Sequence, residues 1–460
     1  MKILLCSSEI VPFAKTGGLA DVAGALPSRL KKQGVEIILA MPKYKGVDEK
    51  KFKIHNVSDT VSACDANGIK VYFINNDFYF NRDGLYGDKF GDYKDNLDRF
   101  LFYCTQTLAL LKNINFKPDV IHCNDWQSSL VPVFLKNKLN NDPFYKEIKT
   151  VLTIHNLAYQ GLFPADEFGK LSLDPGLFGI GGLEFYGKIN LLKGGIVFSD
   201  AVNTVSANYA KEILTSEFGC GLEGVLAGKK QNLSGILNGL DYDIWDPAID
   251  KFIFKKFSPG SLENKYENKH SLQKELGLAL KKDVPLFGMV SRLARQKGLD
   301  LIAADIEKIA KSNVQLVILG TGEAVYHDVL EKMRKKYPKV ISANIKFDDV
   351  LAHKIYAASD VFLMPSRYEP CGLGQLISFK YGTIPLAFKT GGLADTVSAE
   401  NGFVFDKYDV ESFLNCFKKA QAAYKNKKKW QSLVKRAFTY DFSWDESAKK
   451  YINLYKSLSR

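Results

Sequence analysis

The sequence has 460 residues, too many for one ordinary hydrophobic core, and this length predicts two α/β domains of about 200 residues each. Its formal net charge is +12, but the basic residues are scattered and the densest run, Lys425–Lys429, contains no aromatic residue that could stack on a base. Nucleic acid is therefore not an expected partner, although a basic surface would attract an anionic ligand.

The cysteines and the first residues indicate the compartment. The seven cysteines are odd in number and widely spaced, without a CxxC pair, so neither a disulfide framework nor a zinc site is predicted. The opening apolar run meets Glu9 at once, which favours a first strand over an export signal. Because no stretch approaches 18 apolar residues, we expect a cytoplasmic protein without membrane contact.

Short apolar runs rich in β-branched residues alternate with helical patterns along the whole chain. Runs of this kind, bounded by polar residues, Gly or Pro, are typical of strands buried on both faces of a parallel sheet. The predicted strands are 2–8, 35–41, 71–74, 120–123, 150–154 and 202–205 in the first half, and 286–291, 314–319, 361–365, 384–388 and 403–405 in the second; helical patterns include 20–32, 299–310, 324–335 and 353–358.

The alternation breaks in the middle of the chain. Residues 235–280 contain a turn-rich stretch (238–247) and a polar segment (258–269), which predicts domains at 1–240 and 241–440. Residues 441–460 predict a closing helix that begins at a Ser443/Glu446 capping box. Its apolar stripe must pack on another part of the protein, and consists of Trp444, Ala448, Tyr451, Ile452, Tyr455 and Leu458.

One heptapeptide, KTGGLAD, occurs at 15–21 and again at 389–395, each time between a predicted strand and a helix. Glycines at a helix N-terminus let backbone N–H groups approach an anion, and Lys15 adds a positive charge beside the first copy. A plain strand-to-helix turn is the alternative. Neither copy is GxGxxG, so a dinucleotide fingerprint is not supported. The recurrence suggests two topologically similar domains, each with a glycine-rich loop.

Two motifs of the second half follow predicted strands. In VSRLARQKG (290–298), Arg292 and Lys297 could hold a diphosphate where open α/β sheets bind ligands, although ordinary solvated cations are the alternative. In PSRYEPCGLGQL (365–376), Glu369 could accept hydrogen bonds from sugar hydroxyls or simply complement a helix dipole.

Two polar residues follow strands of the first half. His155 comes directly after the run 150–154 and Asp125 two residues after the run 120–123, and a structural role for a lone histidine is the alternative. Asp241 and Asp243 form a DxD pattern, but no further carboxylate or histidine cluster accompanies it, so no metal site is expected.

Together these motifs resemble those of the bacterial glycogen synthase and plant starch synthase family. The motifs that carry the resemblance are KTGGLADVAGALP (15–27), HNLAYQG (155–161), NGLDYDIWDP (238–247), VSRLARQKG, PSRYEPCGLGQL and KTGGLADTV (389–397), and it extends from residue 2 to DFSW at 441–444. It implies the GT-B fold, with two Rossmann-like domains facing across a cleft and a C-terminal helix crossing back to the N-terminal domain. It also implies retaining transfer of glucose from ADP-glucose to the non-reducing 4-hydroxyl of glycogen or another α-1,4-glucan, without a metal or other cofactor.

The resemblance also implies residue roles. Catalysis would rest on His155, Arg292, Lys297 and Glu369. Donor binding would involve Lys15, Gly17, Gly18, Phe347, Leu373 and Gly374, while Asp21, Asp125, Asn156 and Asn238 would face the transferred glucose or the acceptor. Two departures from the family pattern are Gly374, where a side chain, often Thr, is usual, and Phe347, where Tyr is commoner.

Three other functions are considered. A related GT-B transferase could use UDP-glucose or build another glucan or glycoconjugate. A phosphorylase would carry a Schiff-base lysine segment for pyridoxal phosphate, and no matching segment is found. A non-catalytic glucan-binding protein would have no need of the diphosphate-binding cations.

Overall fold

The apolar runs of the sequence form two separate, mainly parallel sheets in a computed structural model that describes residues 1–458. Each sheet belongs to its own compact unit. Unit 1 comprises Met1–Gly239 together with the segment that begins at Trp444, and unit 2 comprises Leu240–Ser443. Within residues 1–458, no helix is both long enough and apolar enough to cross a lipid bilayer.

Unit 1 contains fourteen strands within its described residues. They are β1 (Lys2–Cys6), β2 (Glu36–Pro42), β3 (His55–Ser58), β4 (Val61–Ala66), β5 (Ile69–Ile74), β6 (Gly87–Asp88), β7 (Gly91–Asp92), β8 (Val120–Asn124), β9 (Lys149–Ile154), β10 (Leu162–Pro164), β11 (Glu184–Phe185), β12 (Lys188–Asn190), β13 (Ala201–Thr204) and β14 (Leu233–Gly235). Its first eight helices are α1 (Gly18–Lys32), α2 (Glu49–Phe52), α3 (Asp77–Phe80), α4 (Asn96–Asn113), α5 (Leu130–Asn137), α6 (Leu191–Phe198), α7 (Ala207–Glu212) and α8 (Glu223–Gly228).

The main sheet of unit 1 has the order β14-β13-β9-β8-β1-β2-β5-β4-β3. Its strands are parallel except for β3 and β4, which extend one edge as an antiparallel hairpin. The chain leaves β1 in one direction to β2 and later returns to its other side with β8, so the strand order reverses between β1 and β8. In doubly wound sheets, the carboxyl ends at such a switch point form the ligand-binding crevice.

Unit 2 has six parallel strands and nine helices. The strands are β15 (Leu286–Val290), β16 (Gln315–Leu319), β17 (Ile341–Asn344), β18 (Val361–Met364), β19 (Ile384–Phe388) and β20 (Phe403–Phe405). The helices are α9 (Glu263–Glu275), α10 (Leu299–Ala304), α11 (Ile306–Ala310), α12 (Ala324–Lys336), α13 (Asp349–Ala358), α14 (Gly374–Lys380), α15 (Gly391–Thr396), α16 (Val410–Lys425) and α17 (Lys427–Ala437). The order β17-β16-β15-β18-β19-β20 is that of a Rossmann sheet, with its switch point between β15 and β18.

The last helix, α18 (Trp444–Leu458), packs on α1 in unit 1. Its predicted apolar stripe supplies the buried side chains, among them Trp444, Tyr451 and Tyr455. The two tyrosine hydroxyls are also hydrogen-bonded, to Asn203 Nδ2 at 3.2 Å and to His122 Nδ1 at 2.8 Å. The expected return of the C-terminal helix to the N-terminal unit is thus observed.

Two details of local structure differ from expectation. No strand of the described chain lies between β14 and β15, as the break in alternation predicts, but the polar segment 258–269 is largely helical because α9 occupies most of it. This helix has no apolar stripe and buries polar side chains that find partners: Lys269 Nζ lies 2.7 Å from Asp360 Oδ2 and 2.6 Å from the Val284 carbonyl oxygen. The predicted helix 299–310 is two helices, α10 and α11, which meet at Asp305.

Both copies of the heptapeptide follow a strand and open a helix, as expected, but they occupy different positions in the two similar sheets. Residues 15–21 follow β1, the first strand of unit 1, whereas residues 389–395 follow β19, the fifth strand of unit 2. Counted from each switch point, β19 corresponds to β9, which precedes His155, and β1 corresponds to β15. The two domains are thus topologically similar, but the two copies of the heptapeptide do not follow corresponding strands.

Candidate active site

The first glycine-rich loop is exposed at the carboxyl end of β1. Gly17 is the residue before α1 and has extended backbone angles (φ −149°, ψ −167°), which any residue adopts. A Cβ added to Gly17 or Gly18 would meet nothing within 4 Å. Neither glycine is therefore required by backbone angle or by packing within the described chain, and the open space above them fits the close approach of a ligand.

A buried carboxylate holds this loop in place, and sequence reasoning missed it. Glu9 accepts hydrogen bonds from the backbone N–H groups of Thr16 and Gly17 and, at 2.6 Å, from the Thr16 hydroxyl. The Tyr86 hydroxyl donates to the same carboxylate at 2.7 Å. In the sequence, Glu9 is simply the charge that ends an apolar run; its position seven residues before Thr16 is the signal that could have identified it.

Lys15 and Asp21 form an ion pair with 2.8 Å between Nζ and Oδ1, and both side chains are solvent-accessible. An exposed pair of this kind contributes about 0–1 kcal/mol to folding. Lys15 and Asp21 can therefore each give up this contact for one with a charged ligand, with little loss of folding free energy.

Asp125 and His155 lie together at the carboxyl ends of β8 and β9. The backbone N–H of His155 donates to Asp125 Oδ1 at 2.8 Å. Asp125 has φ 54° and ψ −173°, a conformation that is nearly restricted to glycine and costs about 1–3 kcal/mol in other residues. Such strain, placed at a switch point, is typical of functional sites.

Burial shifts the pKa values of His155 and Asp125 in opposite directions. Burial lowers the pKa of His155 to about 3, so its ring is neutral at physiological pH. Burial, reinforced by the nearby charge of Glu9, raises the pKa of Asp125 to about 7, although N–H donors oppose the rise. Asn124 Nδ2 donates to the Cys6 carbonyl, which turns Asn124 Oδ1 towards His155 Nε2 at 2.9 Å. His155 Nε2 therefore carries the proton, and Nδ1 remains an acceptor.

The remaining unit 1 candidates are less closely joined to this cluster. Asn156 follows His155 directly, and its Oδ1 accepts from the Ala158 N–H at 3.1 Å. Asn238 lies beyond β14 at the edge of the sheet, where its side-chain oxygen is sealed from solvent and has no hydrogen-bond partner within residues 1–458. No hydrogen bond between described residues joins Asn238 to Asp125 or His155.

In unit 2, the loops after β15 and β18 are locked together. Lys297 Nζ contacts Glu369 Oε2 at 2.5 Å, and the Ser366 hydroxyl donates to the same oxygen at 3.0 Å. Gly298 makes this contact possible: its φ is +79°, and an added Cβ would lie 2.1 Å from the Pro365 carbonyl oxygen. The two predicted motifs thus form one site at the switch point of unit 2.

The same two loops carry donor groups with few or no acceptors among the described residues. Arg292 is exposed, and its only side-chain hydrogen bond within residues 1–458 is to Gln296 Oε1 at 3.1 Å. The N–H groups of Leu373 and Gly374, at the start of α14, have no acceptor in the described chain. Phe347, between β17 and α13, is 84% exposed and presents a bare aromatic face.

Each unit therefore contributes positive or N–H donor groups at the switch point of a Rossmann sheet, a chemistry suited to phosphate oxygens. Unit 1 adds a neutral imidazole and a buried carboxyl group able to contact sugar hydroxyls. No three His, Cys, Asp or Glu side chains cluster as a metal site within the described residues.

Comparisons with known proteins agree with this chemistry. Residues 2–228 match the family model described as the starch synthase catalytic domain, and residues 273–437 match that of the group 1 glycosyl transferases. Glycogen synthase of Geotalea daltonii is 48% identical, and that of Thermotoga maritima 45% identical, each alignment covering 99% of this chain and 98% of the relative. The catalytic domain of starch synthase IV from Arabidopsis thaliana, solved with ADP and acarbose, superposes with a TM-score of 0.89 at 34% identity and covers 100% of this chain and 99% of that one. The chain therefore belongs to the glycogen synthase and starch synthase family and has its GT-B fold.

Proposed function

We propose that this chain transfers glucose from ADP-glucose to the non-reducing 4-hydroxyl of an α-1,4-glucan such as glycogen, with retention of the α-configuration. The observation that carries the proposal is the contact between Lys297 and Glu369 at the unit 2 switch point, in the same loop as the exposed Arg292, whose side chain bonds only to the neutral Gln296 among the described residues. The names of the relatives support the reaction, and the ADP in the starch synthase IV structure supports the base.

In this proposal, unit 2 binds the nucleotide sugar. Arg292 and Lys297 neutralise the diphosphate as it leaves with negative charge, and the N–H groups of Leu373 and Gly374 add fixed donors. Donors that are already in place need no reorganisation when the anomeric bond breaks, so their contacts strengthen in the transition state. Phe347 stacks on the base.

Unit 1 contributes the sugar and acceptor contacts. Lys15 reaches the distal phosphate, with the open face of Gly17 and Gly18 beside it. His155 Nδ1 accepts from a hydroxyl of the transferred glucose, and Asp21, Asp125, Asn156 and Asn238 complete the glucose and acceptor surface.

The transition state has oxocarbenium character, as in glycoside chemistry generally. Glu369 has one oxygen held by both Lys297 and Ser366, and it positions the donor rather than attacking it. The acceptor hydroxyl then attacks from the face that the diphosphate leaves, and a phosphate oxygen takes its proton. Trapping a covalent glucosyl-Glu369 would contradict this route.

The test is glucose transfer to glycogen, measured in parallel with ADP-glucose and UDP-glucose. We expect ADP-glucose to give the higher kcat/KM and the rate to survive a metal chelator. Arg292→Ala should lower kcat about 100-fold, the usual cost of removing one transition-state donor. Arg295→Ala, which removes a neighbouring exposed cation paired with Asp300, is the matched control and should change kcat less than about threefold.

Three results would count against the proposal: no transfer from either donor, a clear preference for UDP-glucose, or an Arg292→Ala effect confined to KM. The first would reject the reaction, the second the donor, and the third the role of Arg292 in the transition state.

A further inference from the structure

The hydroxyl of Tyr356 is a polar group in unit 2 that the fold does not use. Tyr356 lies on α13 and is only 4% exposed; its ring stacks on Phe362 with 4.6 Å between centroids. Its hydroxyl makes no hydrogen bond to any residue within 1–458. Buried tyrosines normally satisfy this group, so its isolation calls for a partner from outside the chain.

The same hydroxyl faces the start of α14. It lies 3.3 Å from the place where a Cβ of Gly374 would be, which puts it within about 6 Å of the Gly374 nitrogen by ordinary bond lengths. The hydroxyl of Tyr44 is sealed from solvent without a partner, whereas that of Tyr356 is not fully enclosed. A ligand that reaches the N–H groups of Leu373 and Gly374 is therefore close enough to meet it.

A side chain at position 374 would crowd three neighbouring side chains. A Cβ there would lie 2.9 Å from Phe362 Cε1 and 3.1 Å from Met364 Sδ, besides the contact with Tyr356. The Tyr356 oxygen therefore borders the space that the side chain usual at this position would need.

We infer that the Tyr356 hydroxyl donates a hydrogen bond to the distal phosphate of the nucleotide donor, in place of a side chain at position 374. The inference rests on the proposed function and adds a phosphate-binding residue to it. The N–H groups of Leu373 and Gly374, which have no acceptor within residues 1–458, are donors beside the hydroxyl and favour an anionic oxygen as their shared ligand. Burial, with the charge of Glu369, raises the pKa of Tyr356 well above its usual range, so the phenol keeps its proton.

The experiment compares the binding of ADP and AMP by calorimetry to the full chain and to Tyr356→Phe. This variant removes one oxygen and no internal hydrogen bond, so the thermal midpoint should stay unchanged. We expect ADP to bind about tenfold more weakly, as loss of a hydrogen bond to a charged group does, and AMP, which lacks the distal phosphate, to bind as before.

Tyr381→Phe is the matched control. Tyr381 is another buried tyrosine of unit 2, but its hydroxyl is 2.6 Å from Asp250 Oδ2. Removing it should lower the thermal midpoint and leave the ratio of ADP to AMP affinities unaltered. A merely structural role of Tyr356 would give the same pattern as this control.

Each remaining result overturns the inference. Unchanged ADP binding by Tyr356→Phe, or an equal loss for ADP and AMP, would reject the phosphate contact while leaving the proposed function intact. A fall in kcat with normal ADP binding would assign the hydroxyl to the sugar. Failure of the unaltered chain to bind ADP would reject the inference together with the ADP-glucose proposal.

Discussion

The two copies of KTGGLAD have identical residues and opposite surroundings. Around residues 15–21, Lys15 to Gly18 are exposed and the two glycines face open space. Around residues 389–395, Gly391 has φ +44°, and its Cβ would lie 1.9 Å from the Glu369 carbonyl oxygen, while that of Gly392 would lie 2.1 Å from the Cys371 carbonyl oxygen. The first copy is open to a ligand, whereas the backbone of the second packs directly against the backbone of the loop that carries Glu369.

The same glycines thus serve two physical needs. In the first copy, the lack of a side chain leaves room above the backbone, and a buried carboxylate, Glu9, fixes the loop. In the second, the lack of a side chain lets two backbones touch, and the Gly392 N–H donates to the Glu369 carbonyl oxygen at 3.1 Å. A motif match alone cannot distinguish a binding loop from a packing loop; what surrounds the glycines can.

The largest expected effect is on folding stability in the second copy. Gly391→Ala and Gly392→Ala should each lower the free energy of unfolding by about 3 kcal/mol, because the new methyl overlaps a carbonyl oxygen and Gly391 also has left-handed angles. Gly17→Ala and Gly18→Ala should change it by less than about 1 kcal/mol. Chemical denaturation measures all four variants, and equal losses in both copies would erase the distinction.

The second effect is on catalysis and should run the other way. Gly17→Ala and Gly18→Ala place a methyl where the donor's phosphate is proposed to approach, and a displacement of about 1 Å costs on the order of 100-fold in rate. We expect kcat/KM for ADP-glucose to fall by that factor in folded protein. Full activity in both variants would show that the open space is not a ligand site.

A third effect concerns the charges beside each copy. Near the first copy, Asp125 has a pKa raised to about 7, above that of an unfolded chain, so its proton stabilises the fold at low pH and that contribution is lost as pH rises towards 7. Near the second copy, the carboxylate is that of Glu369, and it forms an ion pair with Lys297. Asp125→Asn should remove a stability loss of about 2 kcal/mol between pH 5 and 8, measured by denaturation at each pH. An unchanged pH profile would contradict this assignment, and Asp200→Asn, at an ion pair with Lys136 away from the switch point, is the control.

The smallest effect separates the two lysines. Lys15→Ala should reduce kcat/KM about tenfold through loss of a phosphate contact, and Lys389→Ala less than about threefold. Neither should alter stability by more than about 1 kcal/mol, since both side chains are exposed. Equal kinetic losses would mean that the second lysine also reaches the donor.

Much of this architecture was predictable because buried parallel strands leave a direct trace in the sequence. Runs such as those of β8 and β15 are short, apolar and bounded by polar residues, and they were found within a residue or two. The helix α9 could not be recognised in this way, because it has no apolar stripe. Its buried Lys269 is instead stabilised by an ion pair with Asp360, 91 residues away. The antiparallel strand β4 was missed for the milder reason that its apolar run is broken by Ser62.

The site could be predicted only in part. Arg292, Lys297 and Glu369 follow strands, and their convergence in unit 2 follows from where parallel strands end. Tyr356 was not predicted, because its proposed role depends on a partner outside the chain, and Glu9 was missed because its contacts with Thr16 and Gly17 form only when the loop folds back on it. The strained backbone of Asp125 also has no sequence signal, since a fold imposes it on whichever residue stands there.

The return of α18 to unit 1 has a consequence for synthesis on the ribosome. Unit 2 is one unbroken stretch, and its ends are paired through the Leu240 N–H and the Phe442 carbonyl oxygen at 2.7 Å. Unit 1 is synthesised first, but the Tyr455 hydroxyl that pairs with His122 Nδ1 emerges only 333 residues after that histidine. During synthesis, unit 1 therefore stays incomplete, with its α18-binding surface uncovered, while unit 2 completes its fold.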